Sequence, residues 1–501
     1  MRTRRIYASL TVFFAMTMMM FMSMVFSVLE VLHVKLLYLQ RDMVSAAAVE
    51  SSFADYNRLL WDNYGILAID SGYGLSSPQL ALVESRMGEY ASVAAQQPGK
   101  GVNLYRMAME DCSISEFGLA TDGYGTALIK EGARYARDHI PAQALDALKD
   151  EYDSLSDPDK ENKTVDDYLE DAKKAGERAD EIAAGTAVEE GPDGESVPVT
   201  PKSDPPANPP DNPVETIIKL KEQTILAQVL GTDAKISDKV LSVTDPPSER
   251  NLIRGNMDIG DVSVTDRLLF SDYAAQYLGN YRDPGKNPGL AYEQEYLVFG
   301  KDSDEGNLGE MAGKLLLARE AENLVYLAQS SAEKAEAESL AIAIMGWTGN
   351  AAIVKATELG IIAAWAYLES VLDVRLILAG GKVPAVKTQA EWTSRIELLP
   401  TYFDVNIRAK ESENGLDYAS YLAVFTALCS NKKLGLRFAD ILEDALHTCE
   451  DYAGVHCDNL IVSMKVKCTM TSEPIFFNLI PYDWGDPGTY HIVSERSMSY
   501  F

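Results

Sequence analysis

The longest apolar run of the chain lies at its N-terminus. Residues 6–29 form a stretch of 24 positions without a charged side chain. At a rise of about 1.5 Å per residue, a helix of this length crosses the roughly 30 Å hydrocarbon core of a bilayer. Arg2, Arg4 and Arg5 precede the run, and basic flanks favour the cytoplasmic side. The pattern predicts a single-pass anchor in the cell membrane, with a cytoplasmic N-terminus and the bulk of the chain extracytoplasmic.

A cleaved signal peptide is the alternative interpretation of this run. The apolar core of a signal peptide has about 7–15 residues and is followed by a cleavage site of small residues. Here the run is longer, and the flank at 30–35 (EVLHVK) holds no such site. The sequence therefore favours an uncleaved anchor. Two other apolar stretches, 340–354 and 359–368, are too short to span and are predicted to be buried helices.

The helical pattern continues beyond the apolar run. No Gly or Pro occurs from 31 to 60. Apolar residues recur there mostly three or four positions apart, which is the stripe of a helix. The stripe contains Leu32, Leu36, Leu39, Met43, Ala46, Ala47 and Phe53. Such a stripe has to pack against the protein's own head or against a neighbour, and its first four members are our candidates for assembly contacts.

Glu30 is a further assembly candidate, because it is the first charged side chain after the apolar run. One interpretation is an interfacial carboxylate that marks the end of the span. The other is a charge that pairs with the N-terminal region of a neighbouring subunit, since acids at membrane depth are costly and are usually kept with a partner. The sequence leaves both interpretations open.

Alternating apolar and polar positions predict a small sheet. The alternation is clearest at 462–470 (VSMKVKCTM). Segment 103–117 alternates too, with a shift of one residue before Cys112 that a β-bulge would allow. Shorter strand patterns occur at 64–69 and 490–500. If these strands share one sheet, the domain is discontinuous and the middle of the chain is an insertion.

The middle of the chain has helical patterns and one linker. Helices are predicted over 164–184, 215–230, 266–281, 308–327, 331–345, 351–378, 417–429 and 434–449. Eight prolines fall between Pro192 and Pro213, which is typical of an extended linker.

The predicted fold class is α+β and predominantly helical. It combines a long N-terminal transmembrane-plus-stalk helix, a small antiparallel sheet built from N- and C-terminal parts, and a large helical insertion. The predicted segments are an anchor and stalk (1–60), the first part of a sheet-containing head (61–120), a charged helical segment (121–190), a Pro-rich linker (191–214), a helical domain (215–456) and C-terminal strands that complete the head (457–501).

Composition excludes some classes of protein. The 501 residues contain 45 Lys and Arg against 75 Asp and Glu, a formal net charge of −30. A nucleic-acid binder needs a basic face, so nucleic acid is not an expected partner. Five cysteines are too few for a disulfide-dense scaffold.

Two short motifs suggest ligand sites but lack required residues. Segment 379–384 (AGGKVP) has the Gly-Lys pair of a phosphate loop without its earlier Gly or its following Ser or Thr, so a helix C-cap turn is favoured. Segment 302–306 (DSDEG) has its Gly one position early for a calcium loop, which favours a helix N-cap. No nucleophile or metalloprotease motif occurs either. We therefore predict no enzyme activity, no cofactor and no metal.

Five His and Cys side chains cluster near the C-terminus: His447, Cys449, His456, Cys457 and Cys468. Zinc favours closely paired ligands such as Cys-x2-Cys, which this cluster lacks. A structural disulfide is favoured over zinc, with Cys112 and the three clustered cysteines as candidates and the pairing left open. The odd total, completed by Cys429, leaves at least one thiol free or paired between chains.

Short sequence blocks along nearly the whole chain carry a resemblance to a known family. The blocks are 9–13 (SLTVF), 28–30 (VLE), 54–67 (ADYNRLLWDNYGIL), 269–273 (LFSDY), 279–281 (GNY), 292–296 (YEQEY), 300–301 (GK), 369–375 (ESVLDVR), 380–384 (GGKVP) and 416–422 (LDYASYL). They resemble an uncharacterised family of single-span bacterial membrane proteins associated with tight-adherence (Tad) pilus systems. The family has no established activity, so the resemblance implies no catalytic residue.

The anchor, stalk and small sheet also resemble the architecture of pilin-like (TadE/TadG-like) proteins. The sequence departs from a prepilin because no Gly precedes Ile6 and Glu30 lies at the far end of the run. The resemblance therefore implies a minor pseudopilin or an assembly-associated anchor, with the membrane and other pilin-like or pilus-assembly proteins as partners.

The expected function is thus a non-enzymatic, membrane-anchored, pilin-like component of a Tad-type pilus or secretion apparatus. One alternative is an extracytoplasmic ligand-binding or adhesion protein, which a pocket near Trp347, Trp365 and Tyr367 would support. A less favoured alternative is an exported hydrolase, which needs two facing carboxylates in a cleft.

Overall fold

The computed structural model describes residues 4–75, 77–96, 105–140, 142–155, 163–190, 196–232, 234–285, 289–476 and 488–501. Arg2, positions 103–104 of a predicted strand and positions 191–195 of the predicted linker lie outside the described residues. The helices are α1 (Arg4–Phe53), α2 (Arg58–Tyr64), α3 (Leu80–Ala95), α4 (Asp122–Arg137), α5 (Ala142–Leu155), α6 (Val165–Ala183), α7 (Pro213–Lys221), α8 (Ile225–Leu230), α9 (Val264–Tyr277), α10 (Glu293–Phe299), α11 (Asp304–Gln329), α12 (Ser331–Met345), α13 (Ala351–Leu378), α14 (Tyr418–Leu428) and α15 (Asn431–His447). The strands are β1 (Ile69–Asp70), β2 (Met107–Leu119), β3 (Val188–Glu190), β4 (Ser196–Pro198), β5 (Leu460–Ser472) and β6 (Tyr490–Ser499).

These elements form two compact units. Unit 1 contains Met1–Tyr135, Ser242–Asp266 and Asn431–Phe501, and unit 2 contains Ala136–Leu241 and Arg267–Ser430. The described part of the chain is mostly helical and includes one four-stranded antiparallel sheet, so the predicted α+β class is confirmed. The segment boundaries predicted from the sequence stay predictions.

The sheet of unit 1 is built around β5. Strand β2 pairs along one edge of β5, while β6 and the short β1 pair along the other, all antiparallel. The register of β2 shifts between Met109 and Asp111, where the sequence predicted a bulge. The prediction of a strand at 64–69 is wrong for most of this segment. It contains the end of α2, which Gly65 terminates in the left-handed conformation at φ 64°, and only Ile69 enters β1.

Helix α1 is 50 residues long, as the uninterrupted pattern predicts. It ends at Phe53 rather than near 60, because Asn57 begins a new helix by accepting a hydrogen bond from the Leu60 amide at 3.2 Å. The second half of α1 packs on α3, β5 and β6. Its buried face there includes Leu37, Val44 and Ala48, which join the sheet in one apolar core.

Helix α13 is the centre of unit 2. Every residue from Gly360 to Leu378 is buried, and α6, α7, α11 and α12 pack around the helix. Its predicted bounds of 351–378 are confirmed, and it ends in the predicted C-cap turn at Gly380. Ser303 caps α11 as predicted, by accepting from the Gly306 amide at 3.2 Å. The helix predicted over 215–230 is instead two helices, because Thr224 caps a second one.

Candidate functional site

Helix α1 supplies the first candidate surface. Among the described residues, it is the one helix that is long and apolar enough to cross a membrane, by length and composition. The most apolar part of this helix is not buried inside the protein. Large apolar side chains such as Phe13, Met19 and Met20 are more than half exposed. These properties are consistent with a membrane-anchored protein.

The Glu30 carboxylate lies at the end of this apolar part and is fully buried. It accepts hydrogen bonds from the backbone amides of Phe476 and Ile475, at 2.7 and 3.1 Å. The Tyr490 hydroxyl donates to it at 3.0 Å, and His33 Nδ1 lies 3.1 Å away. The carboxylate is therefore satisfied within its own chain, where it ties α1 to the C-terminal part of unit 1.

The other four assembly candidates lie on the opposite face of α1. Their side chains are 43–59% exposed: Leu32, Leu36, Leu39 and Met43. Successive members are three or four residues apart, so they form one continuous stripe on the helix. The structure thus separates the five candidates into an exposed apolar stripe and a buried carboxylate. We call Leu32, Leu36, Leu39 and Met43 the stalk stripe.

The pattern of apolar residues did not predict which face of α1 docks on the sheet. That face combines Glu30 and His33 with Leu37, Val44 and Ala48. These residues also recur at helical spacing. Periodicity alone is therefore compatible with either stripe of α1 being the face that docks on the sheet. The choice between them depends on partners that are distant in sequence.

A buried charge network holds the core of unit 2. Lys387 Nζ contacts the carboxylates of Glu369 and Asp373. Arg319 Nε donates to Asp373 at 3.0 Å, and all four side chains are buried. Arg319 also forms an ion pair with Glu322, so each carboxylate of the network has a cationic partner, which is the condition for burying such charges. Glu369 and Asp373 are therefore neutralised and closed to solvent, unlike the facing carboxylates of a hydrolase cleft.

The blocks of the family resemblance meet around such buried polar groups. Pro384 and Tyr421 each place an oxygen next to the Arg319 guanidinium, with the Pro384 carbonyl accepting at 3.0 Å. Glu295 accepts from the Tyr418 hydroxyl at 2.5 Å and from the Tyr281 amide at 2.8 Å. Burial raises the pKa of Glu295 to about 7. Segments distant in sequence are therefore joined in unit 2 by buried polar contacts.

One cavity of unit 2 has a volume of about 1120 Å³. It is lined by residues of α6, α7, α8, α11 and α13, among them Asp166, Lys221, Glu320 and Tyr367. Leu317 and Glu320 also line a neighbouring cavity of about 320 Å³. We call these two spaces the α11 cavity. Its polar side chains stand among apolar ones, which is typical of a small-molecule site.

The three aromatic residues singled out from the sequence have different surroundings. Tyr367 lines the α11 cavity, and its hydroxyl donates to Gln228 Oε1 at 2.5 Å. Trp365 is buried in the core, with its indole N–H donating to Ser394 Oγ at 2.9 Å. Trp347 packs against a separate small apolar cluster. Only Tyr367 of the three therefore contributes to the larger cavity.

The C-terminal His and Cys residues divide into separate arrangements. Cys112 and Cys468 form a disulfide between directly paired positions of β2 and β5. Cys449 and Cys457 are not disulfide-bonded. Of the four cysteines predicted as disulfide candidates, Cys112 and Cys468 are therefore bridged, and Cys449 and Cys457 are not.

Glu443, His447 and His456 bring potential ligand atoms within 4.8 Å of one another. The Glu443 carboxylate already forms a two-point ion pair with Arg250, at 2.6 and 2.8 Å, and also accepts from the Cys457 amide. A metal ion would therefore compete with an existing ion pair for this carboxylate.

The model of a family of unknown function, DUF5702, matches residues 204–472, which is more than half of the chain. No curated protein and no solved structure matches the chain.

Proposed function

Since the chain belongs to the DUF5702 family of unknown function, we propose a function from its architecture: a non-enzymatic, membrane-anchored, pilin-like component of a Tad-type pilus or secretion apparatus. The observation that carries the proposal is the two-faced second half of α1. One face docks on the antiparallel sheet of unit 1, while the stalk stripe on the other face stays exposed. A long N-terminal helix packed in this way resembles the pilin architecture.

The stalk stripe is suited to helix-to-helix contact. It begins two residues after Glu30, so apolar surface continues from the apolar part of α1 onto its docked part. Contiguous exposed apolar surface marks an interaction site. In the proposed assembly, the stripe packs on α-helices of other pilin-like or assembly proteins, while the first half of α1 lies in the membrane.

The proposed orientation places the N-terminus in the cytoplasm, and it places unit 2 and all of unit 1 that follows the first half of α1 on the extracytoplasmic side of the membrane. The basic residues before the apolar run favour this orientation. The Cys112–Cys468 disulfide also supports it, because disulfides persist in oxidising compartments outside the cytoplasm.

The test is site-specific photocross-linking in the native cell. A photoreactive amino acid replaces Leu36 or Met43 on the stripe, and replaces Tyr38 as the matched control. Tyr38 is comparably exposed on α1 but lies off the stripe. We expect adducts with pilin-like or assembly-platform proteins from positions 36 and 43, and few from 38. Adducts from none of the three positions, or equally from all, would contradict the proposal.

A second candidate function, ligand binding by unit 2, is favoured by one observation. The α11 cavity contains a carboxylate, Glu320, that is buried beside open space. A binding module of this kind is compatible with an anchored assembly protein, because the two roles use different units.

A further inference from the structure

Glu320 is the most unusual side chain of the α11 cavity. It is only 5% exposed, and it lines both of the spaces that make up the cavity. Among the described residues, none donates a hydrogen bond to its carboxylate or forms an ion pair with it. Burying a carboxylate without a partner is costly. The burial raises the pKa of Glu320 to about 7.

The cations near Glu320 are engaged elsewhere. Lys221 Nζ forms an ion pair with Asp166 at 2.5 Å and lies 4.3 Å from the centre of the Tyr367 ring. Lys163, at the rim of the smaller space, forms an ion pair with Asp171 at 2.7 Å. The positive charge of Lys221 therefore reduces the cost of ionising Glu320 without contacting it.

The smaller space is lined mostly by apolar side chains, and the larger space combines apolar side chains with polar ones such as Gln223, Glu305 and Lys314. Ile225, Leu226, Phe299 and Leu316 face the larger space, and Leu317 lies where the two spaces meet. A ligand that complements this cavity has one cationic donor for the carboxylate and an apolar body for the walls. A bare metal ion fits poorly, because hard cations need several oxygen ligands and, among the described residues, Glu320 belongs to no group of three closely spaced ligand atoms.

We propose that the α11 cavity binds a primary ammonium group carried on an apolar chain, with Glu320 as its anionic anchor. The inference rests on the ligand-binding function proposed for unit 2 and names its ligand class. The ammonium donates a charge-assisted hydrogen bond to Glu320, which is stronger than a bond between neutral groups. The alkyl chain lies along the leucine and isoleucine side chains of the wall.

The pH dependence of binding has a definite sign. An alkyl ammonium keeps its proton well beyond pH 9, as a lysine does. Glu320 ionises near neutral pH. The other ionisable side chains that line the two spaces are Lys163, Asp166, Tyr168, Lys221 and Tyr367, together with Glu305, Glu310 and Lys314 of α11 itself. Affinity for an ammonium therefore rises between pH 6 and pH 8, and affinity for an uncharged analogue does not.

The experiment compares three probes of one length, hexylamine, 1-hexanol and hexanoate, on the purified full chain by ligand-observed NMR titration. We expect hexylamine to bind at least about 10-fold more tightly than hexanol at pH 8, and hexanoate to bind most weakly. Glu320→Gln should reduce the preference for the amine to about 2-fold or less. Glu310→Gln is the matched control, because Glu310 lines the same cavity but is paired with Lys301 at 3.0 Å.

The outcomes distinguish failure of the ammonium site from failure of ligand binding by unit 2. Equal binding of hexylamine and hexanol, or an unchanged preference in Glu320→Gln, overturns the ammonium site and leaves a ligand cavity. Failure of all three probes to bind overturns both. Leu317→Trp fills the junction of the two spaces from an exposed position, so it should block binding without touching the carboxylate. Undiminished binding of hexylamine by Leu317→Trp would contradict the placement of the binding site in the α11 cavity.

Discussion

The Tyr490 hydroxyl donates a 3.0 Å hydrogen bond to the Glu30 carboxylate, across a sequence separation of 460 residues. It joins the start of β6 to the end of the apolar part of α1. The amides of Ile475 and Phe476 contribute to the same carboxylate. The docking of the long helix on unit 1 therefore depends on the C-terminal part of the chain.

Removing the Glu30 contacts should loosen β6. Tyr490→Phe deletes one hydrogen bond to a buried charged group, which is worth about 1.5–3 kcal/mol. We expect the free energy of local opening of β6 to fall by about that amount, measured by amide hydrogen exchange on the full chain in detergent. Glu30→Ala should cost more, because it deletes every bond to the carboxylate. Glu50→Gln is the control, because it breaks only an exposed ion pair between α1 and Arg496 of β6, and it should lower the same free energy by less than about 1 kcal/mol.

Charges on the stalk stripe should abolish assembly without unfolding the protein. Leu36→Asp combined with Met43→Asp places two carboxylates on the exposed face of α1. We expect loss of co-purifying partners with an unchanged melting temperature. The matched control is Leu82→Asp with Val93→Asp, which changes two exposed apolar residues of α3. Partner recovery that survives in the stripe variant would refute the role of the stripe.

The charge network of unit 2 should be sensitive to the loss of one carboxylate. Asp373→Asn removes the buried carboxylate that Arg319 and Lys387 share, so each buried cation loses one of its two ion pairs. Breaking a buried pair in this way costs about 3–5 kcal/mol. The decrease in the free energy of unfolding is measured by urea unfolding, monitored by hydrogen exchange in α13. Glu170→Gln breaks an exposed pair with Lys174 and should have no measurable effect, so similar stabilities of the two variants would contradict this account.

The stability of unit 1 should fall with rising pH because of Glu131. Burial raises the pKa of Glu131 to about 8, although the Leu67 amide donates to it at 2.7 Å. Between the ordinary pKa of 4.5 and this value, the folded state keeps a proton that the unfolded state has lost. The free energy of unfolding then decreases by up to about 1.4 kcal/mol per pH unit.

Glu131→Gln should flatten this pH dependence, since the amide resembles the protonated acid. The stability difference between the variant and the wild type should grow from pH 5 to pH 8 in denaturant unfolding. Glu89→Gln, an exposed position on α3, should follow the wild-type slope. Parallel slopes for Glu131→Gln and wild type would show that Glu131 does not titrate in this range.

The disulfide should stabilise the sheet. Cys468→Ser removes a bridge between residues 356 positions apart, and such losses typically cost about 2–5 kcal/mol. Peptide mapping without reductant should recover Cys112 and Cys468 in one linked product. Cys429→Ser is the control, because Cys429 is not bridged. A linked product that contains Cys449 or Cys457 instead would disprove the pairing.

Local patterns were sufficient for most of the elements. The alternation at 462–470 identified β5, and the apolar run of 351–378 identified α13 with its observed ends. Both signals come from side chains within one element, whose spacing follows from strand or helix geometry. The errors fell at 54–69 and 222–224, where single side chains such as Asn57 and Thr224 cap new helices.

By itself, the sequence determined where the apolar helix lies, that it continues as a stalk, and that sheet and helices come from different parts of the chain. Only the tertiary structure decided which face of α1 is buried, since that depends on a sheet completed more than 400 residues later. It also decided that Glu30 is satisfied within its own chain, and that Glu320 is buried without a partner. Burial and hydrogen bonding are properties of neighbours in space, and no spacing within one helix specifies them.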